Sequence, residues 1–281
     1  MNEITINWHI IQQCNYSCTY CFAKYTKDDR KEIHESKEEI KALLVKVYKY
    51  FVGKYPKYSI RLNVAGGEPT LSRNLSFIIE EAHRIGFNIS MITNASKLTT
   101  KFTEVNAKYI SMLAISIDSI NEDIKRKIGR FSKQEVLEVS QVIKYIENFR
   151  KLNPKIKIKI NTVVTDANYL TYLGDFIYLI KPYKWKIFQA LSSTEEVYCT
   201  KEQFDIFVNK HHDLRSQIYI EKNEDMIDSY IMLDPYGRFY QNTYGEYEYS
   251  DSVLVSDVET AFQSIKFDLN KFIKRYKNGS K

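Results

Sequence analysis

The chain has 281 residues, 44% of them hydrophobic, and a formal net charge of +6. This length allows one barrel-sized α/β core or two smaller ones, and the modest charge assigns no partner by itself. No run of about 18 apolar residues could span a membrane, and the first residues lack the pattern of a secretory signal. Only four cysteines are present, which excludes a disulfide scaffold. We therefore expect a cytoplasmic protein with no membrane partner.

Strands alternate with helices through the first two hundred residues. Alternating and short apolar runs predict six strands, and apolar residues at helical spacing predict the helices between them. The predicted strands cover residues 4–9, 59–64, 88–93, 110–117, 155–164 and 185–191, and the clearest helices cover residues 74–85, 134–152 and 169–180. Right-handed crossovers make such strands parallel. We expect an α/β fold, a partial (β/α)6 barrel over residues 1–200, with its chemistry at the carboxyl ends of the strands.

Residues 201–281 break this alternation. The pattern predicts a helix near 203–211, a hairpin of residues 229–233 and 238–241 around Pro235-Tyr236-Gly237, and two short helical stretches. We expect this C-terminal extension to cap the open barrel as part of the same structural unit.

Three of the four cysteines lie in one short loop, at Cys14, Cys18 and Cys21. A disulfide would leave one thiol over, and a structural zinc site usually needs a fourth ligand, which no downstream pair supplies. Three thiolates suit a [4Fe–4S] cluster that keeps one iron open. The Cys-x-x-x-Cys-x-x-Cys spacing, with Tyr20 and Phe22 around the last cysteine, resembles the signature of radical S-adenosylmethionine (SAM) enzymes, and this implies SAM as a second cofactor.

Candidate SAM-binding residues follow the cysteine loop and stand at the ends of later strands. Gly66 and Gly67 lack Cβ and let backbone approach a ligand, with the Glu68 carboxylate beside them. The alternative is an ordinary glycine turn with an exposed Glu. Arg130 is able to grip the SAM carboxylate, unless it is a surface arginine. The candidates are Phe22, Gly66, Gly67, Glu68, Thr93, Asn94, Ser116 and Arg130.

Several cations lie on or beside three of the predicted strands. Alternation places Lys155, Lys157 and Lys159 on one face of the fifth strand and isoleucines on the other. Buried cations are costly unless they face an anion, so their convergence would suit a triphosphate. The alternative is that these lysines lie on the outer face of the sheet, where their aliphatic chains would cover the helices. The candidate cations are Arg61, Lys159, Lys184 and Lys186.

Taken together, motifs along essentially the whole chain resemble the viperin family of radical SAM enzymes in order and spacing. They are residues 7–9, 13–22, 66–69, 113–119, 128–130, 159–162, 184–189 and 228–239. The resemblance implies an enzyme that converts a nucleoside triphosphate to its 3′-deoxy-3′,4′-didehydro analogue, an antiviral terminator of RNA chains. CTP is the foremost substrate, with UTP and GTP as alternatives.

The resemblance also implies a mechanism and roles for residues. The cluster would cleave SAM reductively, the 5′-deoxyadenosyl radical would take the 4′ hydrogen of the ribose, and the 3′-hydroxyl would leave as water. A flavodoxin- or ferredoxin-type donor would supply electrons, and Tyr236 would give a proton. The residues implied at the nucleotide are Asn7, Arg61, Asn63, Lys159, Asn161, Lys184 and Lys186.

Two rival classes stay open from the sequence. A radical SAM enzyme acting on a peptide or an RNA would usually bring further C-terminal cysteines or an RNA-binding domain. Beyond the loop the sequence has only Cys199 and no such domain, so we expect no direct nucleic-acid binding. The non-enzymatic alternative is a zinc-stabilised binding module. We expect a monomer.

Overall fold

One open sheet organises the protein. The computed structural model describes residues 3–23, 29–133, 135–191, 198–243 and 246–277. Within them, ten strands form a sheet in the order β10-β9-β8-β1-β2-β3-β4-β5-β6-β7. The strands are β1 (Glu3–His9), β2 (Ser59–Ala65), β3 (Asn88–Thr93), β4 (Ile110–Ser116), β5 (Lys157–Val164), β6 (Lys184–Gln189), β7 (Ile218–Glu221), β8 (Ile231–Leu233), β9 (Arg238–Thr243) and β10 (Glu246–Ser252). Strands β10 and β7 form the two edges of the sheet, so the sheet is not closed and the fold is a partial barrel.

The helices that connect and follow these strands have local signals at their ends. Ser36 caps α1 by accepting a hydrogen bond from the Glu39 N–H, and Gly86 ends α2 with a φ of 120°. No described helix combines the length and apolar content needed to cross a membrane. The helices are α1 (Lys37–Lys54), α2 (Leu75–Ile85), α3 (Thr100–Asn106), α4 (Glu122–Lys127), α5 (Val139–Leu152), α6 (Gly174–Ile180), α7 (Lys201–Lys210), α8 (Asn223–Met226), α9 (Val258–Gln263) and α10 (Leu269–Lys277).

Parallel pairing brings the functional segments to one edge of the sheet. Strands β1 to β6 each pair in parallel with the next, β7 joins β6 in parallel, and β8 joins the free edge of β1 in parallel. Strands β9 and β10 turn back antiparallel beyond β8. The carboxyl ends of β1 to β6 therefore share an edge, as the alternation of elements predicted.

The two faces of the sheet differ in chemistry because side chains alternate along each strand. On β1, Ile4, Ile6 and Trp8 are fully buried in the core that includes apolar residues of α1 and α2. Thr5 and Asn7 point to the other face and are buried although polar. We call that second face the inner face. Polar groups buried there need hydrogen-bond partners or a ligand.

Two predicted helices begin later than the sequence suggested. The stretch before α5 contains Gln134, which lies outside the described residues, and α5 starts at Val139. The helix expected from 169 begins at Gly174, because the Asn168 side chain accepts from the Thr165 N–H at 2.7 Å and donates to Val163 O at 2.8 Å. These bonds hold the chain in turns and compete with helix formation.

The C-terminal extension lengthens the sheet at both edges. The predicted hairpin is present as β8 and β9, whereas β7 and β10 were not predicted. Strand β7 continues the sheet beyond β6, and β8 to β10 continue it beyond β1. That the extension caps the site, as one structural unit with residues 1–200, stays a prediction.

Candidate functional site

The three clustered cysteines follow β1, and none of them is part of a disulfide. Cys14 and Cys21 are exposed and Cys18 is partly buried, whereas Cys199 is buried elsewhere. Burial raises the pKa of Cys199 to about 12, so this thiol is not a ready ligand. Across the described residues, no group of three or more Cys, His, Asp or Glu side chains is arranged to hold a single metal ion. In a cubane each thiolate binds its own iron. This donor set therefore fits a [4Fe–4S] cluster better than zinc.

The glycine pair after β2 holds the entry to the cysteine loop. The Gly67 N–H donates to Ile11 O at 2.7 Å, and the Glu68 N–H donates to Gln13 O at 2.9 Å. A Cβ on Gly67 would lie 2.3 Å from Gln13 O, and one on Gly66 would lie 2.7 Å from Ile11 O. Both positions need glycine because the two backbones touch.

A second backbone contact holds the middle of the same loop. The Ser17 N–H donates to Gly129 O at 3.1 Å, and the Thr19 N–H donates to Ile128 O at 3.3 Å. Gly129 has a φ of +76°, and a Cβ there would lie 2.1 Å from Ser17 O. The segment after α4 therefore fixes the position of Cys18.

We expect Gly129→Ala to lose iron from the reconstituted protein and to lower the melting temperature. A left-handed alanine costs about 1–2 kcal/mol, and the added Cβ would also displace the cysteine loop. Iron per chain and thermal melting would measure both effects. Gly53→Ala is the matched control, because Gly53 is an exposed residue of α1 with no atom within 4 Å of its added Cβ. Equal iron content in the two variants would contradict the supporting role of Gly129.

Glu68 is fully buried, and its carboxylate accepts hydrogen bonds from neighbouring residues of the protein. Oε1 accepts from the Thr70 N–H at 3.1 Å, from Thr70 Oγ1 at 2.6 Å and from Thr93 Oγ1 at 2.7 Å. Oε2 accepts from the Asn94 N–H at 2.7 Å. Burial raises the pKa of Glu68, and these donors oppose the rise. The structure thus brings three predicted SAM residues together, with Glu68 joining the ends of β2 and β3.

Asn94 links this group to the cysteine loop. Its Nδ2 donates to Asn15 Oδ1 at 3.1 Å and lies 3.9 Å from Cys14 Sγ. The ends of β2 and β3 and the first cysteine therefore form one continuous surface. A ligand bound at the cluster would lie beside it.

Ser116 and Arg130 also meet, but the contact is to the Ser116 backbone. Arg130 Nη2 donates to Ser116 O at 2.6 Å, and Nη1 pairs with Asp118 Oδ2 at 2.9 Å. Tyr20 hydrogen-bonds to the same Asp118 oxygen. Sequence reasoning assigned no role to Asp118 or Tyr20, although Asp118 follows the predicted strand end closely. Its carboxylate holds the Arg130 guanidinium in place.

Three of the predicted phosphate-binding cations converge on the inner face. Lys159 lies on β5, opposite Lys184 on β6, and Lys186 lies two residues further along β6. Burial lowers the pKa of Lys184 to about 8 and that of Lys186 to about 7, and the buried Glu221 carboxylate opposes both shifts. Burial and the neighbouring Lys186 also lower the pKa of Lys159. The three amines are therefore close enough to repel one another.

Three residues of the extension join this cation cluster, and none of them was predicted for it. Glu221 ends β7 and forms ion pairs with Lys186 and, at 3.6 Å, with Arg275 of α10. Tyr230 donates to Glu221 and accepts from Lys186 Nζ at 3.0 Å. The Arg275 guanidinium lies over the Tyr230 ring at 3.4 Å. No spacing rule links residues so far apart in sequence, so only the fold reveals the cluster.

Arg61 is not part of that cluster. Its Nε pairs with Glu3 Oε2 at 2.6 Å, and its Nη1 donates to Ser111 Oγ at 2.9 Å. Glu3 begins β1 and Ser111 is the second residue of β4, so Arg61 lies toward the amino ends of the strands. The structure thus separates Arg61 from the lysines with which the sequence grouped it.

The predicted asparagines form a row across the inner face. Ser90 Oγ donates to Asn63 Oδ1 at 2.7 Å, Asn63 Nδ2 donates to Asn7 Oδ1 at 2.8 Å, and Asn7 Nδ2 donates to Ile231 O at 3.1 Å. Asn161 is different. Its Oδ1 is buried without a hydrogen-bond partner in the described structure, and the residue pairs across the sheet with Lys186. An orphan acceptor beside cations indicates a ligand that donates a hydrogen bond.

Tyr236 and Phe22 lie around the cysteine loop. The Tyr236 hydroxyl accepts from Gln12 Nε2 at 3.3 Å, so it lies near the start of the loop. Phe22 is 44% exposed, and its carbonyl accepts from the Tyr247 hydroxyl at 2.8 Å. His9 lies edge-on to Phe22 at 5.8 Å, and burial lowers its pKa to about 3, so His9 is neutral at pH 7.

Comparison with known proteins agrees with this geometry. Residues 8–165 match the model of the radical SAM superfamily. The chain also resembles the SAM-bound structure of anSMEcpe, with a TM-score of 0.68 and 14% identity over 97% of this chain and 82% of that one. The protein is a radical SAM enzyme with a partial barrel fold, and its cofactors are a [4Fe–4S] cluster and SAM.

The more specific family follows from two curated relatives. A protein of Psychrobacter lutiphocae is 37% identical over 99% of this chain and 96% of its own length, and one of Pseudoalteromonas ulvae is 38% identical over 99% and 94%. Both are named S-adenosylmethionine-dependent nucleotide dehydratase. The chain belongs to this family of nucleotide dehydratases, which confirms the resemblance seen in the sequence and decides against a zinc-stabilised binding module.

Proposed function

We propose that this protein removes one water from the ribose of a nucleoside triphosphate to form the 3′-deoxy-3′,4′-didehydro nucleotide. CTP is the foremost substrate, with UTP and GTP as alternatives. The observation that carries the proposal is the cluster of Lys159, Lys184 and Lys186 on the inner face, which Arg275 of α10 joins through Glu221. Such a group of cations is costly to bury and favours a polyphosphate as its partner. The names of the relatives support a nucleotide as the substrate.

Cys14, Cys18 and Cys21 would hold the cluster. Residues at the neighbouring strand ends would hold SAM, namely Phe22, Gly66, Gly67, Glu68, Thr93, Asn94, Ser116 and Arg130. Once bound and reduced by a flavodoxin- or ferredoxin-type donor, these cofactors supply a 5′-deoxyadenosyl radical. The surface that joins Asn94 to Cys14 would place the SAM methionine group next to the cluster.

The inner face would bind and orient the nucleotide. Lys159, Lys184 and Lys186 would bind phosphate oxygens, because ammonium groups form strong charge-assisted hydrogen bonds. The orphan Oδ1 of Asn161 would accept a hydrogen bond from a sugar hydroxyl. The side-chain N–H groups of Asn7 and Asn63 that are not used within their row would donate to the nucleotide.

Arg61 would act through Glu3 and Ser111 and not on phosphate directly. Tyr236 would give the proton, and the hydrogen bond from Gln12 Nε2 would hold its hydroxyl in place.

Phosphate binding should strengthen as the pH falls from about 8.5 to about 6.5, by roughly tenfold. Burial lowers the pKa of Lys184 to about 8 and of Lys186 to about 7, so both amines lose protons as the pH rises through this range. A bound polyanion favours the protonated amines, and binding therefore takes up protons. Calorimetry with inorganic tripolyphosphate would measure this, with sulfate as a control ligand of constant charge. Affinity that rises with pH would contradict the assignment.

The proposal is tested by an anaerobic assay of reconstituted enzyme with SAM and dithionite. CTP, UTP, GTP and ATP are offered separately, and mass spectrometry measures 5′-deoxyadenosine and any nucleotide lighter by one water. We expect a dehydrated product from one nucleotide, which also identifies the base. If 5′-deoxyadenosine forms equally without any nucleotide, the substrate is of another class, and a peptide or an RNA becomes the next one to test.

A further inference from the structure

Glu221 lies at the centre of the cation cluster. It is 3% exposed, and its side chain contacts groups from three other elements: Lys186 of β6, Tyr230 just before β8 and Arg275 of α10. Burial opposes ionisation of this carboxyl, but Lys186 and Arg275 outweigh burial and hold its pKa below the ordinary value. Glu221 is therefore an ionised carboxylate among cations.

The same carboxylate acts on every lysine of the cluster. Burial lowers the pKa values of Lys159, Lys184 and Lys186, and the negative charge of Glu221 opposes this lowering at all three. The Lys159 side-chain amine makes no hydrogen bond or ion pair in the described structure, whereas Lys186 and Arg275 are both paired with Glu221. Glu221 thus partly neutralises an anion site, and it occupies two of the cations that a phosphate would need.

We propose that, when no nucleotide is bound, the Glu221 carboxylate pairs with cations that a substrate phosphate would otherwise bind. In the nucleotide-free enzyme it holds Lys186 and Arg275 together and thereby keeps the C-terminal helix α10 against the barrel. A polyphosphate then competes with the carboxylate for these two cations. This inference rests on the proposed polyphosphate site and adds a positioning residue to it, one that weakens binding so that the nucleotide is released after each turnover.

The sign of the effect follows from charge. A carboxylate a few ångströms from a bound phosphate repels it, and this repulsion is large where water is scarce. Glu221→Gln removes the charge but keeps an oxygen that accepts from Lys186 and Tyr230. At about pH 6, below the pKa values of Lys184 and Lys186, the lysines stay protonated, and we therefore expect Glu221→Gln to bind inorganic tripolyphosphate about tenfold more tightly than wild type, with a steeper dependence on salt.

The experiment is calorimetric titration of the reconstituted enzyme with tripolyphosphate, without dithionite so that no turnover occurs. Glu224→Gln is the matched control, because Glu224 is an exposed carboxylate three residues away.

Hydrogen exchange of residues 269–277 provides a second measurement. In wild type, exchange should be slow without ligand, and Glu221→Gln should speed it unless tripolyphosphate is present. Glu221→Asp, which keeps the charge but shortens the side chain, gives an intermediate affinity and serves if the glutamine variant does not fold.

The outcomes are distinct. Tighter binding in Glu221→Gln, with Glu224→Gln unchanged, supports the inference. Equal or weaker binding in Glu221→Gln overturns it and leaves the polyphosphate site intact, provided that wild type binds tripolyphosphate. If wild type binds neither tripolyphosphate nor a nucleoside triphosphate, the proposed phosphate site fails as well.

Discussion

Replacing Cys18 with alanine should abolish formation of 5′-deoxyadenosine and prevent assembly of the cluster. Cys18 is the thiol at the middle of the loop, beside the Ser17–Gly129 and Thr19–Ile128 backbone bonds. Losing an outer-shell partner of a metal costs about 10- to 100-fold, so losing a direct ligand should cost more than about 100-fold. Iron and sulfide content, brown colour and product formation would measure the loss.

Cys199→Ala is the matched control for that experiment. Cys199 is 1% exposed and far from ionisation, because burial raises its pKa to about 12. We expect this variant to keep its cluster and its activity, with a small decrease in melting temperature from the lost packing. A full cluster in Cys18→Ala, or an empty one in Cys199→Ala, would show that the ligand set is different.

Replacing Lys159 with methionine should weaken nucleotide binding strongly while leaving the fold as stable or more stable. The Lys159 amine forms no ion pair in the described structure, and its neighbours Lys186 and Lys184 repel it. Removing a half-buried cation that has no ion pair relieves an unfavourable interaction in the free enzyme. Removing one partner of a buried charge pair costs about 2–5 kcal/mol of binding, which is roughly 30-fold or more in affinity.

Thermal melting and calorimetry with CTP and tripolyphosphate would measure these two effects. Lys155→Met is the control, because Lys155 is exposed and precedes β5. Opposite changes in stability and binding identify a residue kept for function at a cost in stability. If Lys159→Met lowers the melting temperature by several degrees and binds tripolyphosphate as wild type does, the lysine has a structural role.

Much of the site was readable from the sequence because its signals are local. The cysteine spacing, the Gly66–Gly67 pair and the alternation on β5 depend only on residues close together in the chain. The parallel arrangement of β1 to β6 followed from the alternation of elements, since parallel crossovers are nearly always right-handed. For the same reason the sequence alone places Lys159, Lys184 and Lys186 on neighbouring strands.

Other features depend on side-chain conformation or on distant segments. Arg61 was grouped with the lysines, but its long side chain extends to Glu3, and strand position alone does not give that direction. The sequence placed Glu68 at a strand end, but it did not predict the four hydrogen bonds that the carboxylate accepts. The late start of α6 depends on bonds made by the Asn168 side chain.

Local sequence thus specified the fold class, and it predicted the three cysteines as cluster ligands and three neighbouring lysines as phosphate-binding candidates. Tertiary structure alone revealed the Asp118–Arg130 pair, the role of Gly129 beneath the cysteine loop, and the position of Glu221 between Lys186 and Arg275. These contacts join residues that are from 12 positions apart, as in Asp118 and Arg130, to 112 positions apart, as in Ser17 and Gly129. Periodicity describes neighbours on one element, whereas long-range charge pairing arises only when folding brings separate elements together.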